Sequence, residues 1–310
     1  MTRKIGIIGV GHVGAAIAHA LVVEGVADEL VLIDTNEQKL TAEVVDLQDA
    51  AANLGSNHTK ILQGYEQLAD ADVVFSTIGN VAASLELGDR NAEVKINGKM
   101  VATVGTSIKE AGFKGTLIVI SNPVDAIASL YQKYIGLPSQ RVIGTGTLLD
   151  SARMKRIVGE LFGVDPRSVS GYVLGEHGDA QLTAWSTVRV HNQPIIELAK
   201  QRGLDLVALE QSVRTGGMVV GFGKGFTSYG IATAGIRLAK AVLSDAHEEL
   251  VVSSYSATYD LFISYPAIVG RAGIVELLDL NLLPEELAKF AKSAASIRTN
   301  ITAIEALLSK

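Results

Sequence analysis

No cysteine occurs anywhere in the 310 residues. That excludes a disulfide framework, a thiolate metal site and a cysteine nucleophile, and it suits a reducing, cytoplasmic setting. Positive charge is also scarce. Lys and Arg number 27 against 33 Asp and Glu, the formal net charge is −6, and no block of like charge stands out. Nucleic acid, which selects clustered Lys and Arg, is therefore not an expected partner. Tandem repeats and low-complexity linkers are absent. The longest run without charge, residues 5–23, is interrupted by Gly6, Gly9, Gly11 and Gly14 and carries His12 and His19. That is poor material for a continuous apolar span. Cleavage at the small residues around Ala18-His19-Ala20 would also remove the strongest motif in the chain, so neither membrane insertion nor export is expected.

What is present is 48% hydrophobic and 19% charged, the balance of a globular chain with a large core, and the length allows two domains. Short β-rich runs at 4–8, 30–33, 73–76, 117–120 and 141–143 are apolar on both faces, as buried parallel strands are. Helical patterns at 13–24, 37–52 and 91–111 lie between them. Such alternation predicts an α/β fold with a parallel sheet and right-handed crossovers. The second half opens with a helix over 149–162 and continues as mixed strands and helices, with turn signals at Gly175, Gly178 and 221–225. It closes with a helix started by Pro284. There Leu287, Phe290, Ala294, Ile297, Ile301, Ile304 and Leu308 form an apolar stripe, a packing face toward this chain or a partner subunit. The boundary is placed near 144–147, dividing the chain into 1–145 and 146–310.

The first strand runs into Gly9-Val-Gly11-His-Val13-Gly14 and then a helix. The glycine pattern alone is weak, but a strand before it and a helix after it give it meaning. Gly9 permits a tight turn, Gly11 lets the backbone approach a pyrophosphate, and Gly14 allows close helix–strand packing. The helix N-terminus offers free N–H groups to phosphate oxygens. Asp34 ends the second strand twenty residues after Gly14. An acid there hydrogen-bonds the adenosine ribose and repels a 2′-phosphate, which favours NAD over NADP. The first domain thus reads as a Rossmann doubly wound parallel sheet that binds NAD, followed by a mixed α+β catalytic domain.

Of the six histidines, His177 stands out in Leu174-Gly-Glu-His177-Gly-Asp179, where flanking glycines suit a turn that presents an imidazole to a cleft. Asp150 and Arg153 share a helix face at i, i+3; alone, that spacing reads as a surface ion pair. Asn122 and Asp125 lie in Asn-Pro-Val-Asp just beyond a strand end, where open α/β sheets bind ligands. Gly88-Asp-Arg90 precedes the long helix.

Taken together, Gly9–Gly14, Asp34, Asn122-Pro-Val-Asp125, Leu149-Asp-Ser-Ala-Arg153, Gly175-Glu-His-Gly-Asp179 and Lys224-Gly-Phe-Thr227 resemble, in order and spacing, the L-lactate/malate dehydrogenase superfamily over nearly the whole chain. Within it the likeness is greatest to the L-2-hydroxyisocaproate dehydrogenases. The resemblance implies that His177 carries the hydroxyl proton while hydride passes between carbon 2 and nicotinamide, and that Asp150 orients the imidazole. It implies that Arg153 grips the substrate carboxylate and Arg90 polarises the carbonyl. Asn122 would orient nicotinamide and substrate, Thr227 would line the pocket, and Val13, Gly79, Ile120 and Ile231 would join the cofactor site. It further implies a small 2-oxo or 2-hydroxy acid substrate, no metal, and a homotetramer, with a dimer second.

The family answers the second carboxylate of malate with an arginine in the segment before Arg90. Residues 80–89 hold two acids and no cation, and they lack the glutamine of the lactate pattern near Ser84. Leu85 and Leu87 there, and Gly216-Gly217 where alanines are common, lead us to expect apolar, longer or branched side chains, with L-lactate dehydrogenase as the alternative. The glycine pair also fits a loop or helix end. An NAD-dependent glycosidase would resemble a longer chain with a cysteine-containing metal site. A non-enzymatic NAD sensor would not need His177, Asp150, Arg153 and Arg90 together.

Overall fold

The computed structural model describes residues 2–55, 58–79 and 90–308, and in the helix that starts at 90 it describes side chains from residue 96 on. β1 (Lys4–Ile8) is buried at all five positions. Even Lys4 hides its stem there and reaches Asp70 with its ammonium at 2.6 Å. α1 (His12–Val23), β2 (Glu29–Ile33), α2 (Glu37–Ala52), β3 (Lys60–Gln63), β4 (Val73–Ser76), α3 (Arg90–Glu110), β5 (Thr116–Val119), α4 (Val124–Ile135) and β6 (Val142–Gly144) follow. The six strands run parallel in the order β6-β5-β4-β1-β2-β3. This is the doubly wound dinucleotide-binding order, with its switch point between β1 and β4. The fold class is the one expected.

Alternation along the strands sorts side chains to two faces. Ile5, Ile7, Leu30, Leu32, Val73 and Phe75 pack with α1, and Val31, Val74, Leu117 and Val119 pack with α3 and α4. β3 escaped the sequence reading because it is an edge strand whose four residues are only half-buried or exposed.

The second half starts with α5 (Leu148–Phe162). Short ladders follow: β7 (Val169–Ser170), β10 (Arg189–Val190) and β11 (Gln193–Pro194) in one, β8 (Val173–Leu174) and β9 (Leu182–Thr183) in another. After α6 (Ile195–Arg202) come α7 (Leu206–Lys224) and α8 (Tyr229–Ser244), then the antiparallel run β12 (Glu248–Ser256), β13 (Leu261–Gly270) and β14 (Gly273–Leu277), and finally α9 (Pro284–Leu308). The expected turn at 221–225 is confined to its last residue. α7 continues through Gly221 and Gly223 and ends on Gly225, whose φ of +82° gives a left-handed cap.

Two features cross from one half to the other. β12 joins the outer edge of β6 antiparallel, pairing Ser253 with Gly144, so the sheet of the described residues has nine strands. α8 places Ile231, Ala234 and Leu238 in the same core as Ile5, Ile17 and Leu21. Ile17, Leu21 and Leu238 are fully buried, and each such side chain contributes about 1.5–3 kcal/mol. On α9 the apolar stripe is buried at Phe290, Ala294, Ile297 and Ile304, whereas Leu287 is half-exposed. Among the described residues, no helix is long and apolar enough to cross a membrane.

Candidate active site

The glycine loop lies at the switch point between β1 and β4, and each glycine has a distinct physical reason. Gly9 has φ +93°, and a Cβ there would press on the backbone of Thr77 and Ile78. A Cβ on Gly14 would fall 2.0 Å from the Gly9 carbonyl oxygen, so the helix crosses the loop only because that carbon is missing. A Cβ on Gly11 would meet nothing within 4 Å. The backbone at Gly11 therefore faces open space, as an approaching pyrophosphate requires. Gly11 also caps α1 without a side-chain hydrogen bond, and no acid stands in the first turn. The N–H groups of that turn and the positive end of the helix are left for an anion. Asp34, at the end of β2, accepts the N–H of Val10 at 2.8 Å and of Asn36 at 2.9 Å. The acid therefore ties the glycine loop to the strand and keeps lone pairs for a ribose. These residues fit a bound NAD. Val13 packs beside the core, Ile120 and Ile231 are buried in it, and Gly79 is exposed after β4.

The catalytic candidates come together although they are distant in sequence. Asp150 lies in the first turn of α5 with its side chain 2% exposed. One oxygen meets His177 Nδ1 at 2.6 Å, and the other accepts Arg153 Nη1 at 2.7 Å. The surface-ion-pair alternative for Asp150 and Arg153 is thus set aside, because their bond is buried and shared with a third group. Imidazole Nδ1 is occupied, and among the described residues no hydrogen bond is made by Nε2 of the half-buried ring. Burial opposes ionisation of Asp150, but the His177 and Arg153 charges outweigh it and hold its carboxyl below the usual value. The Asp150 carboxylate raises the His177 pKa against the cost of burial, with a further push from Asp125 and an opposing one from Arg153.

Gly216 and Gly217 sit in the interior of α7, not at a helix end. A Cβ on Gly216 would approach Arg153 Cδ to 3.3 Å, and one on Gly217 would approach Nη2 to 3.3 Å. Two missing methyl groups therefore line the guanidinium. Asn122 is exposed beyond β5, and its carbonyl accepts Asn97 Nδ2 at 2.7 Å. Thr227 is half-buried in the 225–228 link and takes no part in the Asp150 hydrogen bonds to His177 and Arg153. Arg90 opens α3, but its side chain lies outside the described residues, as do Leu85 and Leu87.

Several contacts were not anticipated from the sequence. Glu176 is buried beside His177, and its carboxylate accepts Ser296 Oγ at 3.0 Å and Asn300 Nδ2 at 3.2 Å, which fastens the histidine segment to α9. Asp125 accepts the His177 backbone N–H at 2.9 Å. His12, given no role above, stacks its ring on Phe226 at 3.6 Å between centroids, joining the glycine loop to the link before α8. An acid on the apolar face of a helix, as in Val124-Asp-Ala-Ile-Ala128, was the available signal for Asp125.

Comparison with known proteins agrees with this geometry. Residues 3–144 match the family model of the lactate/malate dehydrogenase NAD binding domain, and residues 147–308 match that of the lactate/malate dehydrogenase alpha/beta C-terminal domain. The chain is 39% identical over 309 residues to L-lactate dehydrogenase 3 of Bacillus cereus, covering 96% of each. It is 33% identical over 313 residues to L-lactate dehydrogenase 2 of Enterococcus faecalis, covering 98% of each. Among solved structures, the minor L-lactate dehydrogenase of Enterococcus mundtii in its ligands-bound form has a TM-score of 0.91 at 37% identity, covering 97% of this chain and 98% of that one.

Proposed function

The chain belongs to the lactate/malate dehydrogenase family and is an NAD-dependent 2-hydroxy-acid dehydrogenase, and we propose that it prefers 2-oxo acids, and their L-2-hydroxy partners, with apolar and branched side chains. The observation that carries this preference is the glycine pair of α7 lying against Arg153. The specificity is thus closest to that of an L-2-hydroxyisocaproate dehydrogenase. L-lactate dehydrogenase is the second reading, favoured by the names of the similar proteins. Malate is disfavoured by the two acids and the missing cation in 80–89.

In this reading residues 1–145 hold the dinucleotide and residues 146–310 supply the substrate side. Gly9, Gly11, Val13, Gly14, Asp34, Gly79, Ile120, Asn122 and Ile231 hold NAD, which when bound supplies the hydride acceptor or donor. Arg153 receives the substrate carboxylate through two parallel hydrogen bonds, a geometry that lysine does not copy. His177 Nε2 takes the proton of the 2-hydroxyl as hydride leaves carbon 2, and returns it to the oxygen in the reverse direction. Asp150 fixes the tautomer through Nδ1 and stabilises the imidazolium. Arg90 is assigned, from the family resemblance, the polarising of the oxygen on which charge develops. The enzyme works in the cytoplasm as a homo-oligomer, a tetramer before a dimer. The test is NADH and NADPH oxidation with a panel of 2-oxo acids. The expected order is 4-methyl-2-oxopentanoate at least equal to pyruvate, oxaloacetate far below, and NADPH far below NADH. Pyruvate ahead by tenfold or more, or oxaloacetate ahead of both, refutes the preference.

A further inference from the structure

Asp125 is a buried acid that the mechanism above leaves without work. It stands in the first turn of α4, three residues after Asn122, with 2% of its surface exposed. Its Oδ2 accepts the backbone N–H of His177 at 2.9 Å, and its Oδ1 accepts the hydroxyl of Ser264 on β13 at 3.4 Å. The Ser264 hydroxyl itself accepts the N–H of Thr147 at 3.1 Å. The Ser264 main chain exchanges both hydrogen bonds with Gly175, two residues before His177, at 2.9 and 3.1 Å. The imidazole is thus bracketed by two buried carboxylates, Asp150 on the ring and Asp125 on the main chain that carries it. A carboxylate out of water is costly unless it is hydrogen-bonded or faces a charge.

We propose that Asp125 is a second positioning residue for His177, fixing the main chain beneath the imidazole and favouring the imidazolium through its negative charge. The inference rests on His177 being the proton carrier. An N–H bonded to a carboxylate is held more strongly than one bonded to a neutral oxygen, so this anchor restrains the ring against the Asp150 contact. Burial pushes the Asp125 carboxyl up to about 6, opposed by Ser253 and by the His177 N–H and imidazole, and reinforced by Glu176. Above that pH the group is charged. The groups that face it are His177 and Glu176 from the 175–178 segment, Asp150 and Arg153 from α5 beyond the imidazole, and the uncharged Ser253 and Ser264 from β12 and β13.

The experiment measures 2-oxo acid reduction at saturating NADH across about pH 5–9, the range in which histidine titrates, for wild type, Asp125→Asn, Asp125→Ala and His177→Ala. Reduction needs protonated His177, so kcat/KM falls as pH rises through its pKa. Asp125→Asn keeps an acceptor for the N–H and removes the charge, so that fall should move to lower pH by about half a unit. Asp125→Ala removes the acceptor as well. It should lower kcat more than the Asn variant does, by about tenfold or more, with the KM for NADH unchanged. An Asn profile that coincides with wild type, or an Ala variant with wild-type kcat, overturns the proposal. If the Asn variant fails to bind NADH, Ser264→Ala takes its place. Its Asp125 holds charge less firmly, so the profile should shift in the same direction by a smaller amount, and no shift there overturns the proposal too. His177→Ala separates the two readings. If it turns over normally, the proton-carrier assignment fails. If it is inactive while the Asp125→Asn profile is unmoved, only the role of Asp125 fails.

Discussion

Replacing Gly216 or Gly217 by alanine should narrow the enzyme toward small substrates without unfolding it. Both residues lie inside the 19-residue α7, where glycine costs about 1 kcal/mol against alanine, so the bare helix gains from either change. The new methyl at 217 would stand 3.3 Å from Arg153 Nη2 and 3.4 Å from Nη1; at 216 it would stand 3.3 Å from Cδ. These contacts are tight, and the arginine must yield by tenths of an ångström, more at its charged end for Gly217→Ala. That shift disturbs the carboxylate clamp, which pyruvate and 4-methyl-2-oxopentanoate share. The loss common to both substrates cancels in the ratio of their kcat/KM values. What survives is the lost room, about one methyl group, worth about 0.8 kcal/mol or about fourfold in that ratio. The assay is NADH consumption with each acid at limiting concentration, alongside thermal or denaturant midpoints. The ratio should turn toward pyruvate by about fourfold in each variant, and the KM for both acids should rise more for Gly217→Ala. An unchanged ratio in both variants would refute the argument that these missing methyls shape the pocket.

Two further outcomes are expected. Gly14→Ala puts a carbon into the Gly9 carbonyl and should lose the fold or several kcal/mol of stability, whereas Gly11→Ala meets open space and should keep the wild-type unfolding midpoint while weakening NADH binding; equal effects of the two would contradict the cradle geometry. Asp150→Asn removes the main influence that raises the His177 pKa, so reductive activity, full below that pKa and lost above it, should be lost at lower pH, and kcat should fall on the order of a hundredfold or more; a wild-type pH profile would refute the ring contact's role.

The parts legible in the sequence were those written locally. β1 and β4 have the bounds that their apolar runs predicted, because a strand covered on both faces needs no partner to be recognised. The glycine loop was legible for the same reason, since its constraints arise within a few residues. Asp150 and His177 are 27 positions apart, and nothing local joins them. Their meeting was anticipated only through a resemblance that fixed the order of motifs. The support beneath them was not anticipated. Ser264 reaches Asp125 across 139 positions, and Ser296 reaches Glu176 across 120. The serines and Glu176 carry no periodic signal, and although Asp125 interrupts an apolar helix face, nothing local says which groups it meets once the fold closes. The glycines of α7 were ambiguous because glycine both ends helices and makes room inside them; only the continuous helix decided between these.

The pairing of Ser253 with Gly144 bears on how the chain is made. β6 is finished early in translation, yet the strand that covers its outer edge, β12, is synthesised about a hundred residues later. α8 follows α1 by about two hundred residues, and until it arrives Ile17 and Leu21 lack Ile231, Ala234 and Leu238. A nascent chain therefore carries an open core face through most of its elongation and a bare edge on β6 through about a third of it, the two features that recruit other chains. The interval from the emergence of β6 to the arrival of β12 is when aggregation competes most strongly with folding, and a ribosome stalled within it would present a template rather than a domain.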